Sequence, residues 1–259
     1  MCHSVAGTVG AAAIVLLAVT APAQNLFEGD NGSGNIYEFT PSGARSTFAS
    51  GLSGPAGLAF DSSGDLFVAN QGGANNIIEI TPRGMQTTFA SGLDYPQGLA
   101  FNSAGDLFEA DQNTGNIYEF TPGGAKSLFA SGLSNPWGLA FDSSGNMYVA
   151  NCVPLGIGSI TKITPSGTQS TYASGLSDPN ELAFNYAGDL FVANDGDGTQ
   201  NILEITPGGV ETNFATGLNN SVGLAFQGIT LPIPEPSALG LLAVGILGLS
   251  ALLVRRRKA

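Results

Sequence analysis

The stretch Gly57-Leu-Ala-Phe-Asp-Ser-Ser-Gly-Asp-Leu-Phe-Val-Ala-Asn70 decides the fold, because it comes back. It recurs as Gly98 to Asp111, Gly138 to Asn151 and Glu181 to Asn194, and a fifth copy begins at Gly223-Leu-Ala-Phe226 and stops. The missing second half, Leu26-Phe-Glu-Gly-Asp30, stands alone near the start. Successive copies begin 41, 40, 43 and 42 residues apart. Self-similarity at such a period marks a repeat architecture.

Each copy reads as four short strands. In the first full copy they are Leu58–Phe60, Leu66–Ala69, Ile77–Ile80 and Gln86–Ala90. Short apolar and β-branched runs between Gly, Pro, Asn and Asp punctuation are strands rather than helices. The turns Thr40-Pro-Ser-Gly43, Thr81-Pro-Arg-Gly84, Thr121-Pro-Gly-Gly124, Thr164-Pro-Ser-Gly167 and Thr206-Pro-Gly-Gly209 share one plan. Proline presets φ at the second turn position and glycine closes the turn. Asp61-Ser-Ser-Gly64 joins the first two strands in the same way. A four-stranded unit of this length repeated around a ring is a β-propeller blade. The expected fold is therefore all-β, a propeller of about five four-stranded blades over residues 24–228. Residues 26–49 supply three strands of one blade and residues 223–226 its first strand, so the two ends close the ring and leave no large exposed edge. A sixth, divergent blade finds no spare residues.

Only 11% of the chain is charged, 37 residues are glycine, and the formal net charge is −12. Between residues 24 and 232 only Arg45, Arg83, Lys126 and Lys162 are basic, against nineteen acids. Such a surface repels phosphate backbones, so nucleic acid is not an expected partner. Residues 1–23 read as a secretory signal peptide, with an apolar core at 11–19 and the small-residue site Ala21-Pro-Ala23, although no Lys or Arg precedes the core. Removing it would take away Cys2 and His3, the only histidine. Cys152 would remain as a lone thiol, and no histidine would be left for base or metal duty. No catalytic residue is assigned. Cys152 is read as a packed thiol, since a nucleophile needs a basic partner.

The other end is a second address. Residues 229–236 form a stiff proline-rich linker, and residues 237–254 are uncharged and long enough, at roughly 27 Å, to span a thin bilayer as a helix. The basic tail at 255–259 keeps this end cytoplasmic and places the propeller outside the inner membrane. Pro234-Glu235-Pro236, the apolar span and then Arg255, Arg256 and Arg257 together resemble the PEP-CTERM sorting signal of Gram-negative bacteria. That resemblance implies processing by an exosortase-type enzyme, with release to the cell surface or exterior, and an association with exopolysaccharide matrix.

In an antiparallel blade the turns alternate between the two faces of the ring. One face carries the monotonous turns, Asp-Ser-Ser-Gly and Thr-Pro-x-Gly. The other carries the loops between second and third strands and the blade-to-blade loops, where nearly all variation lies. The variable face is expected to do the recognising; neutral drift in exposed loops is the alternative. Around the channel mouth the expected binding residues are Gln97, Trp137, Asn180 and Glu181. A polar ring of Asp30, Asn70, Asp111, Asn151 and Asn194 is expected beside them, either lining the mouth or capping turns. Glu109 and Glu181 replace apolar or glycine positions of the repeat, so each needs a solvated or paired setting. Oxygen donors alone suit a hard ion, Ca²⁺ or another divalent cation, with Asp111, Asn180, Asp195 and Asp197 as candidate ligands.

Across residues 26–226 the repeat resembles the NHL and gluconolactonase-like propellers, in motifs such as Phe141-Asp-Ser-Ser-Gly-Asn-Met-Tyr-Val-Ala-Asn151. The resemblance implies a channel metal held by Glu, Asn and Asp. Pro179-Asn180-Glu181 partly matches that family's Pro-Asn-Gly ligand sequence and Asp111 its aspartate, but the glutamate ligand has no counterpart, and five blades depart from the usual six. Virginiamycin-lyase-like propellers share similar repeats, but their catalytic histidine is missing. Two functions follow as expectations. One is a surface-sorted binding or scaffold propeller for matrix polysaccharide or an envelope protein. The other is a metal-dependent lactone hydrolase working at the channel.

Overall fold

The computed structural model describes residues 25–153, 157–185, 187–196 and 201–216. These form a five-bladed, all-β propeller. The first blade contains β1 (Leu26–Asp30), β2 (Asn35–Phe39) and β3 (Arg45–Ala49). The second contains β4 (Pro55–Phe60), β5 (Leu66–Asn70), β6 (Asn76–Ile80) and β7 (Gln86–Ser91). The third contains β8 (Pro96–Phe101), β9 (Leu107–Asp111), β10 (Asn116–Phe120) and β11 (Lys126–Ala130). The fourth runs β12 (Pro136–Phe141), β13 (Met147–Asn151), β14 (Gly158–Ile163), β15 (Gln169–Leu176), and the fifth β16 (Pro179–Phe184), β17 (Leu190–Asn194), β18 (Asn201–Ile205), β19 (Glu211–Thr216). Every sheet is an antiparallel meander in sequence order. The closing strand expected at 223–226, the signal peptide at 1–23, and the linker, membrane span and basic tail from 229 onward lie outside the described residues. Among the described residues no helix is long and apolar enough to cross a membrane.

The core is divided among the blade junctions. Strands β5, β9, β13 and β17 are buried at every residue, and successive side chains on a strand point to opposite faces. Leu66 and Val68 of β5 pack with Ile36 and Ala49 of the first blade. Phe67 and Ala69 of the same strand pack with Leu99, Leu107 and Phe120 of the third. The same division recurs at the next two junctions, where Phe108 and Ala110 meet Val149, and Tyr148 and Ala150 meet Val192. A strand covered on both sides needs an unbroken apolar run, which is what Leu-Phe-Val-Ala is. Aromatic rings close each junction. Phe108 lies edge-on to Phe129 of its own blade at 4.9 Å and to Phe141 of the next blade at 5.2 Å. Phe27, Phe67 and Tyr148 centre the equivalent trios.

The first strands surround the channel: β4 lies against β8, β8 against β12 and β12 against β16. They approach so closely that a side chain has no room at one position. A Cβ added to Gly57, Gly98 or Gly138 would fall 2.1, 2.2 or 2.3 Å from the carbonyl oxygens of Gln97, Trp137 and Asn180. These strands also begin three residues earlier than the apolar run predicts. Pro55 pairs with Asn70, after which the register skips to Leu58 opposite Val68. Proline is tolerated there because a first-strand residue at a bulge gives up no central ladder bond.

The two faces differ in how they are held. On the uniform face Asp61 Oδ1 accepts from the Ser63 and Asp65 amides, both at 2.8 Å, and Asn102 and Asp142 repeat the arrangement. Thr81 Oγ1 accepts from the Met85 amide at 3.1 Å, as do its counterparts Thr40, Thr121, Thr164 and Thr206 from theirs. On the variable face the amides of Gln71, Gln112, Cys152 and Asp195 donate to the carbonyls of Gly54, Tyr95, Asn135 and Asp178 at 3.0–3.2 Å. Each acceptor precedes a proline and sits in the left-handed region, at φ of 62°, 67°, 48° and 45°. For the three non-glycine residues this costs about 1 kcal/mol each. It stitches each second-to-third-strand loop to the loop arriving from the previous blade.

Candidate functional site

The mouth of the channel on the variable face is built from two sets of residues. The first is the residue after the opening proline of each inner strand, Ala56, Gln97, Trp137 and Asn180. The second is the residue after each second strand, which includes Gln71, Gln112, Cys152 and Asp195. The bulge after the proline turns Gln97 toward the second set. Gln97 makes this plain: its Nε2 donates to Gln71 Oε1 of the second blade at 2.6 Å and to Gln112 Oε1 of its own blade at 3.0 Å. Gln97 is 1% exposed and its Oε1 has no partner among the described residues. Gln71 and Gln112 escaped the sequence reading, since nothing local distinguishes them from other loop amides.

Trp137 is half-buried and Asn180 buried at the same register position of β12 and β16. Glu181 occupies the position at which Gly57, Gly98 and Gly138 leave room for the next backbone. Its side chain keeps some contact with solvent, but the protein closes around the carboxyl. Burial pushes the group up to about 8 against the opposing pull of the Leu182 amide. Cys152 is buried, with Sγ 3.9 Å from Asp178 Oδ1. Burial first, then the Asp178 and Asp195 carboxylates, raise its thiol to about 11. That agrees with a packed thiol and removes the thiolate a nucleophile needs.

Within the Asn/Asp ring the two aspartates hold their own loops, and the three asparagines bond side chains of the next strand while each keeps a buried Oδ1 without a partner among the described residues. Asp111 is 1% exposed, and its two oxygens accept from the Asp94 amide at 2.8 Å and from the Thr114 hydroxyl at 2.7 Å. Asp30 holds the Gly32 amide and the Ser33 hydroxyl in the same way. Asn70 and Asn194 donate to Asn76 and Asn201, and Asn151 to Thr161. All of these are on second strands, one strand away from the channel. Asp195 has a buried Oδ1 without a partner among the described residues, and Asp197 lies outside them. Among the described residues no group of three or more His, Cys, Asp or Glu side chains could hold a metal. Asp111 spends both oxygens on its own loops, so the described residues do not bring together the Glu, Asn and Asp set that the family resemblance implies.

Glu109 does not reach the mouth. It is fully buried on the face of β9 that Leu107 turns toward Phe67 and Ala69, where Val68, Val149 and Val192 stand at the other junctions. Neither carboxylate oxygen has a hydrogen-bond partner among the described residues. Burial first, then Asp111, hold its carboxyl well above the usual carboxylate range, with Lys126 opposing.

Residues 232–258 match the PEP-CTERM protein-sorting motif. The motif implies export, membrane-associated sorting in bacteria and processing by an exosortase-type enzyme. No curated protein matches the chain by sequence. Among solved structures the chain is similar to a gluconolactonase from Xanthomonas campestris, with a TM-score of 0.69, 16% identity, and 78% of this chain and 75% of that one covered. It is also similar to a catalytically inactive virginiamycin B lyase from Staphylococcus aureus with quinupristin (TM-score 0.65, 18% identity, 80% and 72% covered). A chain of the nidogen/laminin complex aligns with a TM-score of 0.67, 21% identity and 75% and 78% coverage. At these identities the likeness is one of fold: the propeller is gluconolactonase-like in architecture.

Proposed function

We propose that this chain is an exported β-propeller that binds a partner at the cell surface through its variable face. The observation that carries this reading is the contrast between the faces. On the uniform face the repeated Asp/Asn and Thr side chains each accept from amides of their own turn, whereas on the variable face the residue after the opening proline differs from blade to blade, Ala56, Gln97, Trp137 and Asn180. A binding surface requires groups not already satisfied by the fold. The sorting motif supports an envelope setting: the apolar span holds the chain in the inner membrane until an exosortase-type enzyme releases it, and the partner is matrix polysaccharide or an envelope protein. The test exchanges loops. Giving 71–75, 112–115 and 152–158 one common sequence should abolish retention of the exported protein on washed cells. The same treatment of the Thr-Pro-x-Gly turns should not. Loss from the uniform face alone would overturn the reading.

A second reading, a lactone hydrolase, has one observation in its favour: Glu181, an acid held near neutrality at the channel, where perturbed carboxyls often do chemistry. In its metal-dependent form it requires a thermal shift with Ca²⁺, Mg²⁺ or Mn²⁺ that is lost in Asn180→Ala. Turnover of lactones that survives Glu181→Gln would dispose of a role for the acid.

A further inference from the structure

We propose that the arc formed by Gln71, Gln97, Gln112 and Trp137 is a binding site for an uncharged, hydroxyl-rich glycan. This rests on the variable face being the recognition surface, and it names the ligand class that part of the face takes.

The first ground is orientation. Gln97 is buried and clamps two glutamines from adjacent blades by their oxygens. Gln71 and Gln112 are themselves only half-buried, and their amide nitrogens have no hydrogen-bond partner among the described residues. With their oxygens held by Gln97, both side chains are fixed before a ligand arrives and keep their nitrogens for it, which lowers the entropy cost of binding. Gln97 is thus a positioning residue, and Gln71 and Gln112 are the contacts. Turning all three amides over would present two oxygens in place of two nitrogens and keep the chain of bonds intact. A hydroxyl donates and accepts, so it pairs with either face; a carboxylate or an ammonium pairs with only one.

The second ground is charge. The chain carries −12 overall, yet Ala56, Gln97, Trp137, Gln71 and Gln112 are all uncharged. The exposed or half-buried acids of this face stand beside the arc: Asp94 is bonded to Asn113 in the loop leading into the third blade, and Asp178, Glu181 and Asp195 belong to the fifth blade or the loop leading into it. The arc's own contacts carry no charge to pair with an ion, and the surrounding acidic field repels uronates and sulfated sugars. The third ground is the half-buried indole of Trp137, on the inner strand whose backbone abuts that of Gly98. An amphipathic ring beside oriented amides offers an apolar face to sugar C–H groups and leaves the hydroxyls to the glutamines.

Trp137 is the only tryptophan of the chain, so its emission reports on this arc alone. The purified chain is titrated with neutral hexasaccharides of glucose, mannose and galactose, and with hexagalacturonate as the charged control. The expected result is a saturable emission change with at least one neutral oligosaccharide and binding of the charged control weaker by about tenfold or more. Gln71→Ala and Gln112→Ala together, at half-exposed loop positions that do not endanger folding, should weaken the neutral ligand by about tenfold. Gln97→Leu should do the same. Gln86→Ala at the rim, where the amide merely donates to the Ser50 carbonyl, should leave affinity unchanged. Trp137→Phe, followed by calorimetry, should also weaken binding. The inference is overturned if no neutral oligosaccharide binds, or if binding survives the glutamine and Trp137 variants. If the glycans fail while loop exchange still abolishes retention on cells, the recognition reading stands and the ligand class falls. If both fail, both are wrong.

Discussion

Glu109→Gln is the sharpest probe of how this propeller is held together. At pH 7 a glutamate is ionised in the unfolded chain, where its reference value is about 4.3. In the fold it is fully buried with neither oxygen paired and its carboxyl held well above that value. The native state therefore keeps a proton that the unfolded state releases. The stability lost to this group grows by about 1.4 kcal/mol per pH unit above the unfolded value, and the loss stops where the folded carboxyl itself ionises. Glutamine keeps the shape and removes the titration. Urea unfolding of both proteins at pH 5, 6 and 7 should give stabilities that diverge in the variant's favour as pH rises, by up to about 1.4 kcal/mol per pH unit until the folded carboxyl ionises. Carboxylates common to both proteins cancel in the difference. Glu109→Val should go further at pH 7, since valine is what the equivalent strands carry at 68, 149 and 192, each fully buried. It also relieves the cost of an unpaired buried carboxyl, about 1–3 kcal/mol. A difference between Glu109→Gln and the parent that does not change with pH would refute the reasoning, because it would mean the carboxyl is solvated or paired.

Other outcomes follow from the same geometry. Gly98→Ala forces a Cβ to within 2.2 Å of the Trp137 carbonyl and should cost about 2–3 kcal/mol or more in thermal unfolding. Gly43→Ala, at φ +81° with nothing within 4 Å, should cost only about 1 kcal/mol. Phe108→Ala empties the centre of an edge-on aromatic trio and should lose about 3–5 kcal/mol. Phe214→Ala at the rim, where the ring is 61% exposed, should lose far less; equal losses would contradict the division of the core among junctions. Cys152 should react with iodoacetamide at pH 7 far more slowly than a free thiol, because a value of about 11 leaves a thiolate fraction on the order of one part in ten thousand. Fast labelling of the folded protein would show that its burial has been misread.

Sequence alone determined the architecture and the sorting motif. Five copies of a strand-turn-strand pattern carry their own period, turn chemistry and two-sided apolar strands, and these are local properties that neighbouring residues specify. The match over residues 232–258 is equally local. Tertiary structure decided which polar groups face the channel. Asp111 and Asn180 look alike as candidate ligands in the sequence, but Asp111 lies on a second strand and turns into its own loop, and Asn180 lies on an inner strand. Gln71, Gln97 and Gln112 are 26 and 15 positions apart and meet because a bulge after a proline rotates one of them across a blade junction. Glu109 stands out as an exception to the repeat in the sequence, but only the packing shows that no partner meets it. Strand periodicity tells which side of a sheet a residue takes. What waits on that side comes from another blade about 40 residues away, and no local pattern records it.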